Sequence, residues 1–250
     1  MARIEDVTVA TPDGSLPAVV ALPEAPGLRP GVIVIHEIVG INEDIRRICR
    51  RFAAEGYVAL APDFLAGLGR RPFCMARFMR GIGKVGSGRP YRHLTAAHAW
   101  LEDHRQVARG RIGLVGFCIG GGFAILYAID GGKGRLRVIA PFYAAVPTDE
   151  GRLEGICPVV ASFGGRDRIF GGAGVRLDHA LARLGVAHDV KTYPDAGHSF
   201  MNRLEGKTAT LGRLLPTRPG YHEPSAEDAW RRTLDFFDRH LGAEPSDLRA

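Results

Sequence analysis

The sequence is poor in cysteine and contains no long run of apolar residues. Its four cysteines are spread over 250 residues without a C-x-x-C pair, so they indicate neither a disulfide scaffold nor a zinc site. No apolar stretch approaches the roughly 18 residues that a membrane-spanning helix needs. The first residues are charged where a signal peptide would be apolar. We therefore expect a mature, soluble, cytoplasmic protein that does not bind membranes.

Clustered basic residues are also lacking, although the formal net charge is +6 and the pI is about 9.4. The arginines are scattered among acids, without a lysine-rich tail or an arginine run interleaved with aromatics. We expect no nucleic-acid partner. The charge indicates a solvated surface, with steering of an anionic small substrate as the alternative. None of the nine histidines belongs to an H-E-x-x-H pattern, so we expect no metal and no other cofactor.

The composition that remains is that of an ordinary globular protein, with 46% apolar and 24% charged residues. This length and composition predict a single domain over residues 1–250. Alternating residues at 4–9 and 16–22, on either side of the turn signal Pro12-Asp13-Gly14, predict an N-terminal β-hairpin at a sheet edge.

From residue 31 onwards, continuous apolar runs typical of strands buried on both faces alternate with helical spacing. A capping-box spacing at Ser225 and Asp228 indicates the start of the last helix. The alternation predicts a mostly parallel central sheet with helices on both faces. The predicted strands are 31–35, 57–61, 112–115, 137–142, 158–163 and 188–193, and the predicted helices lie around 45–52, 93–107, 119–129, 173–184 and 226–240.

Two stretches interrupt this alternation. Residues 64–91 are rich in glycine and arginine, and residues 202–224 contain three prolines. We predict both as long connections. Because ligands in open α/β sheets bind beyond the carboxyl ends of the strands, both are candidate substrate-site loops. Surface insertions without a function are the alternative.

The segment 116–122, Gly-Phe-Cys-Ile-Gly-Gly-Gly, lies between a predicted strand and a predicted helix. A G-x-nucleophile-x-G turn in that context is a nucleophile elbow, with Cys118 where a serine usually stands. Such a turn presents the side chain beyond the sheet, the helix N-terminus favours a thiolate, and the amide of Ile119 points at a developing oxyanion. The alternatives are a small buried cysteine in a packing turn and, with weaker support, a phosphate-binding loop.

Two further motifs follow later strands, Gly-Gly-Arg-Asp ending at Asp167 and Asp-Ala-Gly-His-Ser-Phe containing His198. The chain order nucleophile, acid, histidine is that of the α/β-hydrolase fold, in which each member follows the carboxyl end of a strand. His198 would act as base and then as acid, and Asp167 would fix its tautomer. Each residue alone fits a capping or surface role, but together with Cys118 they favour a catalytic triad.

Of the other histidines, His36 lies in the most informative place. It precedes Glu37 at the end of the predicted strand 31–35, close to where an oxyanion loop would lie. The other seven histidines have no partner pattern comparable to that of His198. For His36 we predict core packing with a local hydrogen bond.

Taken together, these residues resemble the dienelactone hydrolase family, whose members are also called carboxymethylenebutenolidases. The resemblance covers most of the chain and implies an α/β-hydrolase fold. It rests on Ile-His-Glu-Ile at 35–38, the strand and Ala-Pro-Asp at 57–63, the cysteine segment at 113–121, Gly-Arg-Asp at 165–167, and Ala-Gly-His-Ser-Phe at 196–200.

The resemblance implies roles for particular residues. Cys118, His198 and Asp167 form the implied triad, and the amides of Ile38 and Ile119 form the implied oxyanion hole. It further implies that the carboxylate of residue 37 lies near the thiol and helps to generate the thiolate when substrate binds. A carboxylate beside a thiol disfavours the anion at rest and so limits its oxidation. A salt-bridged or helix-terminal carboxylate is the alternative.

The substrate region departs from the family pattern. The archetypal member has a substrate-binding arginine four residues after the catalytic histidine, and here that position is Asn202, followed by Arg203. The 64–91 segment offers Arg77 and Arg80. These four residues are the candidate substrate contacts.

The predicted function is hydrolysis of a lactone or activated carboxylic ester through a cysteine acyl-enzyme, with a dienelactone (4-carboxymethylenebut-2-en-4-olide) as the leading substrate. The expected partner is a small ester or lactone, with anionic compounds among the candidates, and a monomer is compatible with the sequence. A noncatalytic protein that holds a small anion is one alternative. A redox or signalling thiol is another.

Overall fold

An eight-stranded sheet organises the computed structural model, which describes residues 2–68, 71–203 and 219–242, with side chains omitted for 71–75. The strands are β1 (Arg3–Thr11), β2 (Gly14–Leu22), β3 (Arg29–Ile35), β4 (Val58–Pro62), β5 (Val107–Phe117), β6 (Val138–Phe142), β7 (Val159–Gly164) and β8 (His188–Tyr193). Their spatial order is β1-β2-β4-β3-β5-β6-β7-β8. Strands β3 to β8 are parallel, and the hairpin β1–β2 joins β4 in antiparallel fashion.

Helices cover both faces of this sheet. Alternation along β3 explains why, because Val32 and Val34 belong to one apolar core, whereas Ile33 and Ile35 belong to the other. The helices are α1 (Glu43–Ala54), α2 (Arg71–Gly83), α3 (Arg89–Glu102), α4 (Ile119–Leu126), α5 (Ala173–Arg183) and α6 (Glu223–Leu241). Helices α1 and α6 bury apolar residues on the Val32 side, and α3, α4 and α5 do so on the Ile33 side. The predicted layers and the predicted hairpin are confirmed.

Local signals determine the bounds of α1. The side chain of Asn42 accepts a hydrogen bond from the amide of Ile45 at 3.0 Å, which caps the first turn. Ile45, Ile48 and Phe52 form the buried stripe. Gly56, with φ of +89°, follows the end of the helix in a conformation that favours glycine. The predicted helix is therefore present and begins slightly earlier than its apolar spacing suggested.

Three sequence predictions differ from the structure. Residues 64–91 are not one long connection, since they contain α2 and the start of α3. The helix predicted to reach residue 107 ends at Glu102, and β5 begins at Val107. The capping box is wrong, because α6 begins at Glu223 with Pro224 in its first turn, and Ser225 lies inside the helix with its hydroxyl 2.8 Å from Nδ1 of His222.

Residues 204–218, most of the second predicted loop, lie outside the described residues. Within the described ranges, no helix is long and apolar enough to cross a bilayer.

Candidate active site

Cys118 lies in a tight turn between β5 and α4. Its backbone has φ of +54° and ψ of −117°, a conformation that residues other than glycine rarely adopt. The turn depends on close backbone packing, since a Cβ on Gly116 would lie 2.2 Å from the carbonyl oxygen of Gly120. The Cys118 side chain is partly exposed. The sequence thus builds a strained turn that presents the sulfur at the N-terminus of α4.

A short contact joins the predicted acid and the predicted base. Nδ1 of His198 lies 2.6 Å from Oδ2 of Asp167, which is 1% exposed. The other oxygen of Asp167 accepts hydrogen bonds from the amides of Ile169 at 3.0 Å and Phe170 at 3.2 Å. Both carboxylate oxygens are therefore occupied, and the imidazole is held with its Nδ1 proton towards Asp167.

The loops that carry Asp167 and His198 are joined by backbone hydrogen bonds. The amide of Gly165 donates to the carbonyl of Tyr193 at 2.7 Å, and the amide of Arg166 donates to that of Ala196 at 2.9 Å. A Cβ on Gly164 would lie 2.3 Å from the carbonyl oxygen of Gly197. Glycine at position 164 therefore lets the two loops meet closely enough for the acid to reach the base.

The thiol completes a chain of three side chains. The Cys118 side chain lies close enough to His198 to raise the pKa of the imidazole. Burial lowers the pKa of His198, but the interactions with Asp167 and Cys118 outweigh burial and raise it to about 10. Phe170 stacks on the imidazole with ring centroids 5.2 Å apart, and Tyr143 packs against it at 4.9 Å. The arrangement can therefore hold a proton on the His198 imidazole.

Glu37 lies among polar side chains rather than exposed to solvent. Its Oε1 accepts a hydrogen bond from the hydroxyl of Ser199 at 2.8 Å. Tyr143 and Asn202 also hydrogen-bond to the carboxylate, and the Tyr143 hydroxyl lies 3.4 Å from Oδ1 of Asn202. We call these four residues the Glu37 cluster. Burial raises the pKa of Glu37, although the cluster's hydrogen bonds and the charge of His198 oppose that rise.

The Glu37 cluster contacts the candidate triad through Tyr143, whose ring packs against that of His198. Burial raises the pKa of Tyr143 well above its ordinary value, and the charges of Glu37 and Cys118 raise it further. Among the described residues, the non-glycine positions with positive φ are Cys118, Tyr143 and Ser199, at +54°, +39° and +55°. The strained backbone is thus concentrated at this one site, where each such residue costs roughly 1–3 kcal/mol.

The two amides predicted to form an oxyanion hole belong to Ile38 and Ile119, which lie in two different turns. Ile119 is the first residue of α4, directly after the nucleophile turn. Ile38 lies in the turn after β3, which is closed by a 3.1 Å hydrogen bond from the amide of Gly40 to the carbonyl of Glu37. The Ile38 side chain is 55% exposed. Its backbone, rather than its side chain, is fixed by the turn.

The predicted substrate contacts lie in different environments. Arg77 is on α2, is exposed, and donates to the carbonyl of Leu68 at 3.2 Å. Arg80 is exposed on the same helix. Arg203 is exposed, and its guanidinium lies 4.9 Å from the centre of the Tyr221 ring. Asn202 is buried in the Glu37 cluster, so its side chain is occupied by protein contacts.

The residues that sequence reasoning missed are Tyr143, Phe170 and the hydroxyl of Ser199. Tyr143 directly follows β6. Functional residues of an open α/β sheet lie after the carboxyl ends of its strands, so the reasoning that selected residues after β7 and β8 also applies to Tyr143. Ser199 belongs to the Ala-Gly-His-Ser-Phe motif, but the sequence pattern gives its hydroxyl no role. No group of three or more potential metal ligands occurs in the described part of the chain.

Comparison with known proteins now identifies the family. A sequence model described as the dienelactone hydrolase family matches residues 16–241. The chain belongs to the dienelactone hydrolase family. A Salmonella typhimurium protein named "Putative carboxymethylenebutenolidase" is 30% identical over 94% of this chain and 92% of its own length. A protein of the same name from Methylorubrum extorquens is 29% identical, covering 94% and 80%.

Solved structures agree with this assignment. The crystal structure of a "Putative Dienelactone Hydrolase" from Klebsiella pneumoniae superposes with a TM-score of 0.77 at 26% identity, covering 96% of this chain and 99% of that one. The fold is therefore the α/β-hydrolase fold. As a dienelactone hydrolase family member, the protein is a carboxylic-ester hydrolase whose substrate is a small ester or lactone.

Proposed function

We propose that this dienelactone hydrolase family member cleaves an activated ester or enol lactone through a thioester on Cys118. The observation that supports it is the continuous series of side-chain contacts from Cys118 through His198 to Asp167. A 4-carboxymethylenebut-2-en-4-olide-type dienelactone is the leading substrate. This finer assignment rests on the chemistry of sulfur and on the two relatives named carboxymethylenebutenolidase.

The chemistry begins with attack of the Cys118 thiolate on the carbonyl carbon. The new C–S bond gives a tetrahedral intermediate whose oxyanion faces the amides of Ile38 and Ile119. Collapse breaks the C–O bond to the leaving group, which takes the proton of the His198 imidazolium. Water then attacks the thioester while His198 accepts its proton, and the C–S bond breaks as acid and thiolate are released.

Sulfur narrows the range of substrates. A thiolate is expelled from a tetrahedral intermediate more readily than a simple alkoxide or an amide nitrogen, so attack on such substrates reverses. An enol lactone avoids this, because its leaving group is a resonance-stabilised enolate that tautomerises to a carbonyl compound. The proposal therefore favours enol lactones and aryl esters over alkyl esters and amides.

The test compares wild type with Cys118→Ala and His198→Ala on an enol lactone and on an aryl ester. We expect Cys118→Ala to lose turnover and His198→Ala to lose at least about a hundredfold in rate. Intact mass spectrometry should find the acyl group on Cys118 in wild type alone. Equal turnover by wild type and Cys118→Ala would refute the cysteine mechanism. Saturable ligand binding without an acyl-enzyme would favour the noncatalytic alternative.

A further inference from the structure

His36 is a buried histidine that the proposed reaction does not use. It follows the last residue of β3, is 1% exposed, and lies directly before Glu37 and Ile38. Its backbone borders the nucleophile turn, because a Cβ on Gly120 would lie 2.7 Å from the carbonyl oxygen of His36. A polar ring in this position needs a partner for each nitrogen.

Both ring nitrogens of His36 have such a partner. The amide of Phe64 donates to Nε2 at 3.1 Å, so Nε2 is an acceptor and carries no proton. Nδ1 lies 2.7 Å from the carbonyl oxygen of Glu37 and therefore donates its proton to that oxygen. Burial lowers the pKa of His36, in agreement with a neutral ring, even though Asp63 lies 3.7 Å from Nε2.

The Nδ1 bond joins the ring to the turn that carries Ile38. The carbonyl of Glu37 accepts from His36 on one side and from the amide of Gly40 on the other, at 2.7 Å and 3.1 Å. These two donors fix the peptide group between Glu37 and Ile38, because the accepting oxygen and the amide of Ile38 belong to the same planar unit. The direction of the Ile38 N–H is therefore coupled to the His36 ring.

The Nε2 bond joins the same ring to the apolar core beneath the nucleophile. Phe64 is buried. Its ring packs edge-on against Phe123 of α4, with ring centroids 5.7 Å apart, and in a tilted arrangement against Phe78 of α2, with centroids 6.0 Å apart. His36 thus connects the turn after β3, through Phe64 and Phe123, to α4, the helix that follows Cys118.

We propose that His36 is a positioning residue that aims the Ile38 amide at the oxyanion formed on Cys118. The inference rests on the proposed function, since it presumes a tetrahedral intermediate at that sulfur. An oxyanion donor acts through preorganisation, and losing one costs about 100- to 1000-fold in rate. A donor that is retained but poorly aimed should cost less, about 10- to 100-fold.

Three substitutions distinguish the hydrogen bond at Nδ1 of His36 from the hydrogen bond at Nε2. His36→Asn keeps an amide N–H near the position of Nδ1, His36→Gln places its amide near the position of Nε2, and His36→Leu keeps neither. Acylation by p-nitrophenyl acetate, followed as the burst of p-nitrophenolate, needs the oxyanion donors. Alkylation of Cys118 by iodoacetamide is a displacement at a saturated carbon and does not need them.

We expect His36→Leu and His36→Gln to lose about 10- to 100-fold in acylation rate with little change in KM, while alkylation of Cys118 stays within about twofold of wild type. His36→Asn should recover most of the acylation rate. If His36→Leu does not fold, the Asn and Gln variants alone decide the matter. His98→Leu, which removes a buried histidine of α3, is the matched control and should change neither rate.

The result that overturns the inference is an acylation rate near wild type in His36→Gln, or a parallel loss of acylation and alkylation in all three variants. A Gln variant as fast as or faster than the Asn variant overturns it too. These results can be distinguished from failure of the proposed function. In that case the wild-type protein itself would form no acyl group on Cys118.

Discussion

The hydroxyl of Ser199 donates a 2.8 Å hydrogen bond to Oε1 of Glu37, and this bond connects the residue after the candidate base to the residue before the candidate oxyanion amide. Ser199 holds a φ of +55° to make it. The same carboxylate accepts hydrogen bonds from Tyr143 and Asn202. Within the described residues, the Glu37 carboxylate is therefore held by Ser199, Tyr143 and Asn202, and it forms no ion pair with an arginine or a lysine.

Removing the hydroxyl of Ser199 should raise the pKa of Glu37 further, because this hydrogen bond opposes the effect of burial. We expect Ser199→Ala to shift the pH profile of kcat/KM and to destabilise the fold by about 1–3 kcal/mol, since a buried acceptor loses its donor. Ser199→Gly is the matched control, because it also lacks the hydroxyl but tolerates positive φ. An unchanged pH profile in both variants would contradict the role given to the hydroxyl.

The raised pKa of Glu37 also predicts how stability depends on pH. A carboxyl whose folded pKa lies above its usual value of 4.5 contributes stability that is fully present below about pH 4.5 and is lost as the pH rises through the folded pKa. Wild type should therefore lose stability relative to Glu37→Gln as the pH rises above 4.5. Urea unfolding of both proteins across pH 4 to 9 measures the difference.

Glu227 provides a control of opposite sign. Its hydrogen bonds with Arg51, at 3.0 and 2.7 Å, lower its pKa from the usual 4.5, so its contribution is present above 4.5 and is lost as the pH falls through the folded pKa. The stability difference between wild type and Glu227→Gln should shrink towards acid pH. If the stability differences between wild type and each of the two variants changed with pH in the same direction, the pKa shifts assigned to Glu37 and Glu227 would both be contradicted.

The sequence predicts the layers that the structure shows, and it also predicts that Cys118, Asp167 and His198, the candidate triad, lie close together. Apolar runs such as the one that gives β3 identify strands buried on both faces, and parallel strands end at one edge. The loops that follow β5, β7 and β8 must then lie near one another. Knowledge of loop geometry was not needed for this step, and so Cys118, Asp167 and His198 could be placed together.

The sequence was not sufficient where tertiary burial decides the structure. Helix α2 contains Gly81 and Gly83, which disfavour a helix, yet Phe78 and Ile82 are buried against the core. The same holds for Asn202, whose spacing from His198 suggested a substrate contact. Its burial beside Tyr143 depends on a left-handed backbone at positions 143 and 199, and no local sequence signal predicts such a conformation for tyrosine or serine.

The cysteines should differ sharply in reactivity. Burial raises the pKa of Cys49 to about 12 and that of Cys157 to about 12, so both are thiols at neutral pH. Cys118 is partly exposed, and its side chain interacts with that of His198. We expect iodoacetamide at pH 7.5 to modify Cys118 before Cys49 and Cys157, as measured by peptide mapping over time. His198→Ala should slow only the modification of Cys118, and equal rates at the three cysteines would contradict this prediction.

Backbone strain at Cys118 predicts that a glycine at this position is more stable than an alanine. Cys118 has φ of +54° and ψ of −117°, and glycine adopts this conformation without a clash. Cys118→Gly should therefore be more stable than Cys118→Ala by about 1 kcal/mol, which corresponds to about 2–4 °C in Tm for a chain of this size. Both variants lack the thiol, so their difference isolates the Cβ. Cys157→Gly, at a position without positive φ, should be destabilised. A Gly variant less stable than the Ala variant would show that the elbow stores no strain at Cys118.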